Sequence, residues 1–512
     1  MRWLPWKWIV RRAARAYGVI DPLRIAARMR RFSQPSEVAE PMELVRAGIV
    51  FHARGLVNTR AIQHNLDWVW PYWVVRQFDP GDPSFVPRAF SFSHVNLTHR
   101  NWTAVGLPDC PHYPIVDPRG LLTPLHDGWS LECWLLGEHD GALVPARLRD
   151  VDQRLLLEPA PAVTTRAVRG HRALDMRVSV ERVNGRAVAR LDVAADGDPG
   201  DQLAIAIRPY NPEGVQFVDH LALAPGGAGI RVNQHDDVQL EPAPDGVRFD
   251  RYSDGDVFHA LPDGGPRPEP LTCPVGMATG AALYSLGAGG HRRVRVSVPL
   301  EAGAVPPWSA TDWRSVHAGT AEIEIPDARM RFLYDAARTS LVLHSVDDIV
   351  PGPYTYRRFW FRDACLIAHA LMAAGYIERA RAALARFPAR QKATGYFQSQ
   401  EGEWDSNGQV LWAFGRFAAL TGETLPAEWL DAIERGVRWI RRKRLPGDAG
   451  PGIGGLLPAG FSAEHLGPND YYYWDDWWAI AGLRAAAEVL ETAGRERAAA
   501  RARAEAVSLR AA

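Results

Sequence analysis

The hydrophobic period of this chain changes once, near residue 326, and that change constrains the fold more than any single motif. Upstream, short alternating runs are broken by Gly, Pro, Asn and Asp at intervals typical of a β-sandwich. Downstream, apolar residues recur at helical spacing. At 512 residues the chain is too long for one ordinary core, so two domains, or three, are expected. The pattern divides it into an amphipathic helical segment over 1–47, a β-sandwich over 48–300, a linker over 301–326 and a helical domain over 327–512.

The clearest β unit is "MRVSVERVNGRAVARLDV", Met176 to Val193, where Asn184-Gly185 between alternating runs predicts a type I′ hairpin. "QLAIAIRPY" from Gln202, "GVRFDRY" from Gly246 and "RRVRVSVPL" from Arg292 also alternate, as half-buried antiparallel strands do. The aromatic-rich "NLDWVWPYWVVRQF", Asn65 to Phe78, reads as a buried structural strand or an interdomain contact. "LEAGAVPPWSATDW" then ends the β regime.

Past Pro326 and Asp327, Met330, Leu333, Ala337 and Leu341 share one helical face. Six or seven helices follow from the same spacing, beginning near Asp327, Arg362, Ile377, Ser406, Pro426, Asp475 and Arg495. The loops between them are long and rich in Tyr, Trp, Gly and acids, where a simple bundle needs only short polar turns. Recurring at every second helix, such loops point to one functional face.

Lys plus Arg equals Asp plus Glu at 59 each, which leaves no electrostatic footprint for nucleic acid. Cys110, Cys133, Cys273 and Cys365 are scattered, so no metal site, cofactor motif or disulfide framework is indicated, and a reducing, cytoplasmic home is expected. No run of 18 apolar residues marks a transmembrane segment. Trp3, Trp6 and Trp8 among the arginines of residues 1–17 suit either contact with a membrane surface or docking on the protein itself. The sequence does not specify an oligomeric state.

Three helix entrances carry the candidate chemistry: "FWFRDACLIAHALMAAG", "EGEWDSNGQVLWAFGRFAALTG" and "YYYWDDWWAIAGLRAAAEVLETAG". Side by side, these helices would gather Arg362 and Asp363, Glu403 to Asn407, and Asp475 and Asp476 with Trp360, Trp404 and Trp474. Aromatic plates with carboxylates suit a sugar, whose apolar faces stack on rings while its hydroxyls bond Arg and acids. Glu464 and His465 in "FSAEHLGPN" either line the same cleft or sit on a loop without catalytic duty. The expected ligand is therefore an oligosaccharide or polysaccharide.

The pattern resembles the (α/α)6-toroid glycoside hydrolases of the glucoamylase type, in the six-hairpin glycosidase superfamily with glycogen-debranching and trehalase-like enzymes. The resemblance implies an N-terminal antiparallel β-sandwich followed by an (α/α)6-toroid-like helical domain, incomplete at the C-terminus. "WFRDA" is similar to the family segment whose Arg and Asp hold hydroxyls at the cleavage subsite, here Arg362 and Asp363. "WDSNGQ" takes the place of an acid-then-Gly segment, bringing Glu403, Trp404, Asp405 and Asn407 to the substrate. "YYYWDDWW" resembles the segment whose first acid is the proton donor, which implies Asp475, although Asp stands where glucoamylases have Glu. Trehalase-like relatives use an Asp donor in a Trp-Asp context, which makes Asp405 the rival.

Glycoside cleavage needs one carboxyl still protonated near neutral pH, and inversion places a second carboxylate roughly 6.5–9.5 Å away to activate water. A cage of Tyr471 to Trp474 with Trp477 and Trp478 would raise a carboxyl by desolvation, while a helix N-terminus favours the charged form. Adjacent helical residues point about 100° apart, so Asp475 is expected at the ligand and Asp476 at the helix cap. The family's base lies in a second half of the ring that these residues do not supply, and Glu496 and Glu505 lack the aromatic-loop context for it. Three functions follow from the resemblance: an inverting glycoside hydrolase, an inverting disaccharide phosphorylase of the same architecture, or a non-catalytic carbohydrate-binding or assembly protein.

Overall fold

The computed structural model describes residues 42–512 apart from 92–94, 98–100, 138–140, 234–235, 263–264, 301–311, 355, 401 and 462–468. It forms two compact units: one of residues 53–358, the other of residues 359–512 with the first part of a helix, Met42–His64. That helix runs through the start expected for the sandwich at residue 48. Its second half is held there by polar side chains: Thr59 Oγ1 donates to the Val95 carbonyl at 2.6 Å, and Asn58 Oδ1 accepts from Val215 N at 2.9 Å. The expectation for residues 1–17 lies outside the described residues.

Two large antiparallel sheets make most of the β unit, beside a two-stranded piece of Tyr210–Asn211 and Gly214–Val215. The larger has nine strands in the order Leu271–Thr272, His220–Leu223, Gly229–Val232, Asp236–Glu241, His291–Pro299, Arg186–Asp196, Arg172–Val183, Ala162–Arg169 and Asp152–Leu156. The expected hairpin is there: Val183 pairs Arg186, and Asn184 and Gly185 take φ of 50° and 79°, the left-handed pair a type I′ turn requires. The smaller sheet has Ser130–Leu136, Gln202–Arg208, Thr279–Ser285 and Gly246–Asp250 as neighbours.

Gln202–Arg208 departs from the half-buried expectation. Leu203, Ile205 and Ile207 join the core between the sheets, while Ala204 and Ala206 are buried on the other face with Val69, Trp134 and Val257. The side chains facing that second layer are small, which blurs the alternation.

The aromatic stretch from Asn65 is buried but is not a strand. Pro71 opens a short helix, Tyr72–Arg76, and Trp68, Trp70 and Trp73 pack in a common cluster with Tyr210. Side chains, not a ladder, satisfy the backbone at Val69: its N–H donates to Asp256 at 2.8 Å, and its carbonyl accepts from Arg208 and from the Tyr210 hydroxyl at 2.9 and 2.6 Å. Arg208 and Asp256 are fully buried as an ion pair at 2.6 Å.

The helix Ala328–Leu343 starts where Asp327 caps Arg329 N and Met330 N, and it clusters with the β unit rather than the helical one. Its expected core face is exposed at Met330 (53%) and Leu333 (50%); Arg338, Thr339, Val342 and Leu343 are buried instead. Part of the expected linker is helical, over Trp313–His317.

The helical unit consists of α1 (Phe361–Ala373), α2 (Ile377–Leu384), α3 (Asp405–Thr421), α4 (Ala427–Lys443), α5 (Tyr473–Thr492) and α6 (Glu496–Ala511). Each begins within two residues of its expected start; only the short turn Phe387–Arg390 was not anticipated. The helix α3 packs between α1 and α5, and α6 packs back on α5. No described helix is long and apolar enough to cross a membrane.

Candidate active site

Small residues set the geometry of the site. A Cβ on Gly408 of α3 would lie 2.2 Å from the Trp478 carbonyl oxygen of α5, and one on Gly415 would lie 2.6 Å from Ala485 Cβ. The two backbones therefore touch, and the N-terminal ends of α3 and α5 are brought together with their acids and rings. The first N–H of α1 is fixed separately, donated by Phe361 to Ser399 Oγ at 2.7 Å.

Asp405, the first residue of α3, is buried and receives three donors on one oxygen. Its Oδ2 accepts from Arg362 Nε at 2.9 Å, from Trp474 Nε1 at 2.8 Å and from Gln409 Nε2 at 3.0 Å. Arg362 also reaches Glu403 Oε1 at 3.3 Å. One guanidinium thus joins two buried carboxylates, and three expected site segments meet at Asp405. Sequence reasoning missed Gln409, although its spacing of four from Asp405 puts both on one helical face.

Asp475 is only 6% exposed. Burial, then the charges of Asp405 and Asp476, push its carboxyl up to about 9 against the opposing pull of Arg362. The proton is held by desolvation and like charge together, and these outweigh the helix N-terminus. The expected aromatic cage is more open than foreseen: Tyr471, Tyr473, Trp474 and Trp477 are exposed, and Tyr473 and Trp477 stack on each other at 6.2 Å.

Asp476 does not cap the helix. Tyr472 holds the N-cap position without a side-chain bond. Asp476 Oδ1 instead accepts from Leu457 N at 2.9 Å, and burial raises this carboxyl while that bond and Arg444 oppose the rise. The two adjacent acids face different surroundings, as the helical 100° step requires.

Two expected substrate residues are structural. Asn407 is fully buried: its Oδ1 accepts from Phe397 N at 2.8 Å and its Nδ2 donates to the Gly395 carbonyl at 3.0 Å, so it fastens the preceding loop. Trp404 is 1% exposed, packed at a tilt against Tyr396 and Trp439 with Lys443 Nζ 3.9 Å above its ring. The aromatic left open beside the acids is Trp474, 47% exposed and held edge-on to Trp478. Trp360 and Asp363 are half-buried at the start of α1. Glu464 lies outside the described residues.

Among the described residues, one group could gather metal-ligand atoms: His171, Asp198 and Asp201 of the β unit. There Arg172 already binds both oxygens of Asp201, at 2.6 and 3.0 Å.

No protein-family model matches the sequence, and neither does any curated protein. Among solved structures, the chain is similar to a bacterial glucoamylase complexed with acarbose, at 11% identity and a TM-score of 0.55, over 80% of this chain and 66% of that one. It is also similar to a protein assigned as a kojibiose phosphorylase from the human microbiome (8% identity, TM-score 0.42, 80% of this chain and 63% of that one) and to a rhamnosidase from Klebsiella oxytoca with rhamnose bound (12%, 0.35, 62% and 62%). The chain spans just under two thirds of each. The first likeness establishes the fold, antiparallel sheets followed by a helical part. The other two are too loose to carry an argument.

Proposed function

We propose that the chain is a carbohydrate-active protein that hydrolyses glycosidic bonds with inversion, with Asp475 as the general acid. One observation carries the reading: two carboxyls at one helix junction have opposite environments. Asp475 is buried among like charges and stays protonated near neutral pH. Asp405 accepts three hydrogen bonds on one oxygen and leaves no geometry for giving a proton from it. A carboxyl kept protonated by burial beside a second carboxyl held by hydrogen-bond donors suits a general acid with an acceptor at its side.

In this reading Asp475 passes its proton to the glycosidic oxygen as the bond to the anomeric carbon breaks. Water adds to that carbon from the opposite face, and the proton the water loses goes to a base outside this cluster. The anion of Asp405 faces the positive charge that develops on the sugar. Arg362 and Asp363 grip hydroxyls of the terminal sugar, and the open face of Trp474 carries its apolar side. The substrate is a glucan-like oligosaccharide or polysaccharide. A phosphorylase would need net positive charge for phosphate, whereas the charge of Arg362 is met by two carboxylates, Glu403 and Asp405.

The test is a panel of oligosaccharides offered to the wild-type chain and to Asp475→Asn. Turnover should fall by about 10²- to 10⁴-fold, the usual worth of a general acid, while oligosaccharide binding persists. Equal turnover by the variant would move the donor role to Asp405. Binding without turnover by the wild-type chain would leave a carbohydrate-binding protein.

A further inference from the structure

The outward face of the nine-stranded sheet holds a trough of about 920 Å³, lined by five arginines and four acids. Register places Arg154, Thr164, Arg177, Asp192, Arg295 and Glu241 in one row across six strands. Cross-strand ion pairing is the ordinary use of such a row. Two of the acids follow it: Asp192 holds Arg295 at 2.7 Å and Asp175 holds Arg166, while Asp152 holds Arg154 of its own strand at 3.0 Å.

Arg177 and Arg293 break the pattern. Among the described residues neither has a carboxylate within ion-pair distance, although Arg177 stands directly across from Asp192, whose oxygen Arg295 takes. One strand separates them, so the two guanidinium groups rise from backbones about 10 Å apart across the sheet. Two unneutralised forks among other charged side chains on an open face are suited to carboxylates, which a guanidinium binds through two parallel bonds.

The rest of the lining narrows the ligand. It has no aromatic plate on which a neutral sugar could stack. Its cations are too sparse, and too mixed with acids, for duplex nucleic acid, which carries a charge every ~1.7 Å. It has no exposed apolar belt for a membrane surface. A chain with widely spaced carboxylates and hydroxyls between them satisfies both the free arginines and the intervening acids, which accept from hydroxyls.

We propose that this trough binds an acidic polysaccharide, with Arg177 and Arg293 each gripping one sugar carboxylate. The inference is independent of the reaction assigned to the helical unit. Affinity electrophoresis of the full chain through gels containing polygalacturonate, amylose or double-stranded DNA tests it. The wild-type chain should be retarded by polygalacturonate alone, and increasingly less so as salt is raised. Arg177→Ala with Arg293→Ala should weaken that binding by about 10- to 100-fold, as expected for lost charge-assisted hydrogen bonds. Should that variant lose its cooperative melting, Arg177→Gln with Arg293→Gln, which keeps more of each stem, takes its place. No retardation by polygalacturonate, equal retardation of a folded variant, or stronger retardation by amylose or DNA would overturn the proposal.

Discussion

Gly408 and Gly482 face each other across α3 and α5 with no room for a side chain between them. A Cβ on Gly482 would lie 2.2 Å from the Gly408 carbonyl oxygen, and one on Gly408 would meet the Trp478 carbonyl at the same distance. Both obstacles are backbone, so neither can rotate away. Gly408→Ala should destabilise the chain by about 3 kcal/mol, at the upper end for overpacking, and reduce turnover by spreading Asp405 from Trp474. Urea unfolding measures the first effect; an unchanged midpoint would contradict the contact.

With Asp475 as the proposed general acid, the alkaline limb of activity should belong to it. Its carboxyl is raised to about 9, so kcat/KM should fall as pH rises through that value. The same proton is linked to stability. The folded chain keeps it above about pH 4, where the unfolded chain releases it. This group's contribution is therefore complete at acid pH and declines between about pH 4 and 9, by about 1.4 kcal/mol per unit. Asp475→Asn should remove that slope, seen by comparing urea midpoints of the two chains at pH 5 and pH 8.

Asp405 contributes charge to its neighbour as well as a site for donors. Asp405→Asn removes the charge that most opposes ionisation of Asp475, so the alkaline limb should move to lower pH. A pH profile of kcat/KM decides it: a limb that stays in place means Asp405 does not sense Asp475.

Trp474→Phe separates the ring from its N–H. The plate is kept, while a bond from indole to a buried carboxylate is lost. A loss of about 1.5–3 kcal/mol is expected for a hydrogen bond to a charged group. If KM for an oligosaccharide rises more than kcat falls, the tether serves sugar binding; denaturant melts measure the stability loss.

In the β unit, Arg208→Ala should cost about 3–5 kcal/mol, because it strands Asp256 without a partner in the interior. Arg381→Ala breaks exposed pairs with Glu423 and Glu378 and should leave stability nearly unchanged. Thermal melts of the two variants compare them directly.

The start of the helix at Asp327 and the Asn184-Gly185 turn were legible because caps and turns are local chemistry, written within a few residues of where they act. The starts of α1 to α6, which carry no side-chain cap bond, followed from apolar spacing. The convergence of Arg362, Asp405 and Trp474 followed from three similar helix entrances and one assumption, that the helices lie side by side. What the sequence concealed were residues whose roles depend on partners far along the chain. Asn407 reads as turn chemistry until its amide is found fastened to Phe397 and Gly395. Trp404 reads as a sugar plate because nothing local shows that Tyr396 and Trp439 enclose it. The stretch from Asn65 looks like a strand until Asp256 and Arg208, nearly two hundred and about 140 residues away, take over its hydrogen bonds.

Arg362 has a thermodynamic consequence of its own. Its Nε is committed to Asp405 and its Nη2 to Glu403, so a hydroxyl that claims either of these two donors must displace a carboxylate rather than simply add to the site. Affinity at this cluster is then a difference between two sets of bonds, small in free energy and steep in geometry. A sugar that offers its hydroxyls at the wrong angle recovers less than it removes, and discrimination between stereoisomers can exceed what the strength of binding alone would suggest.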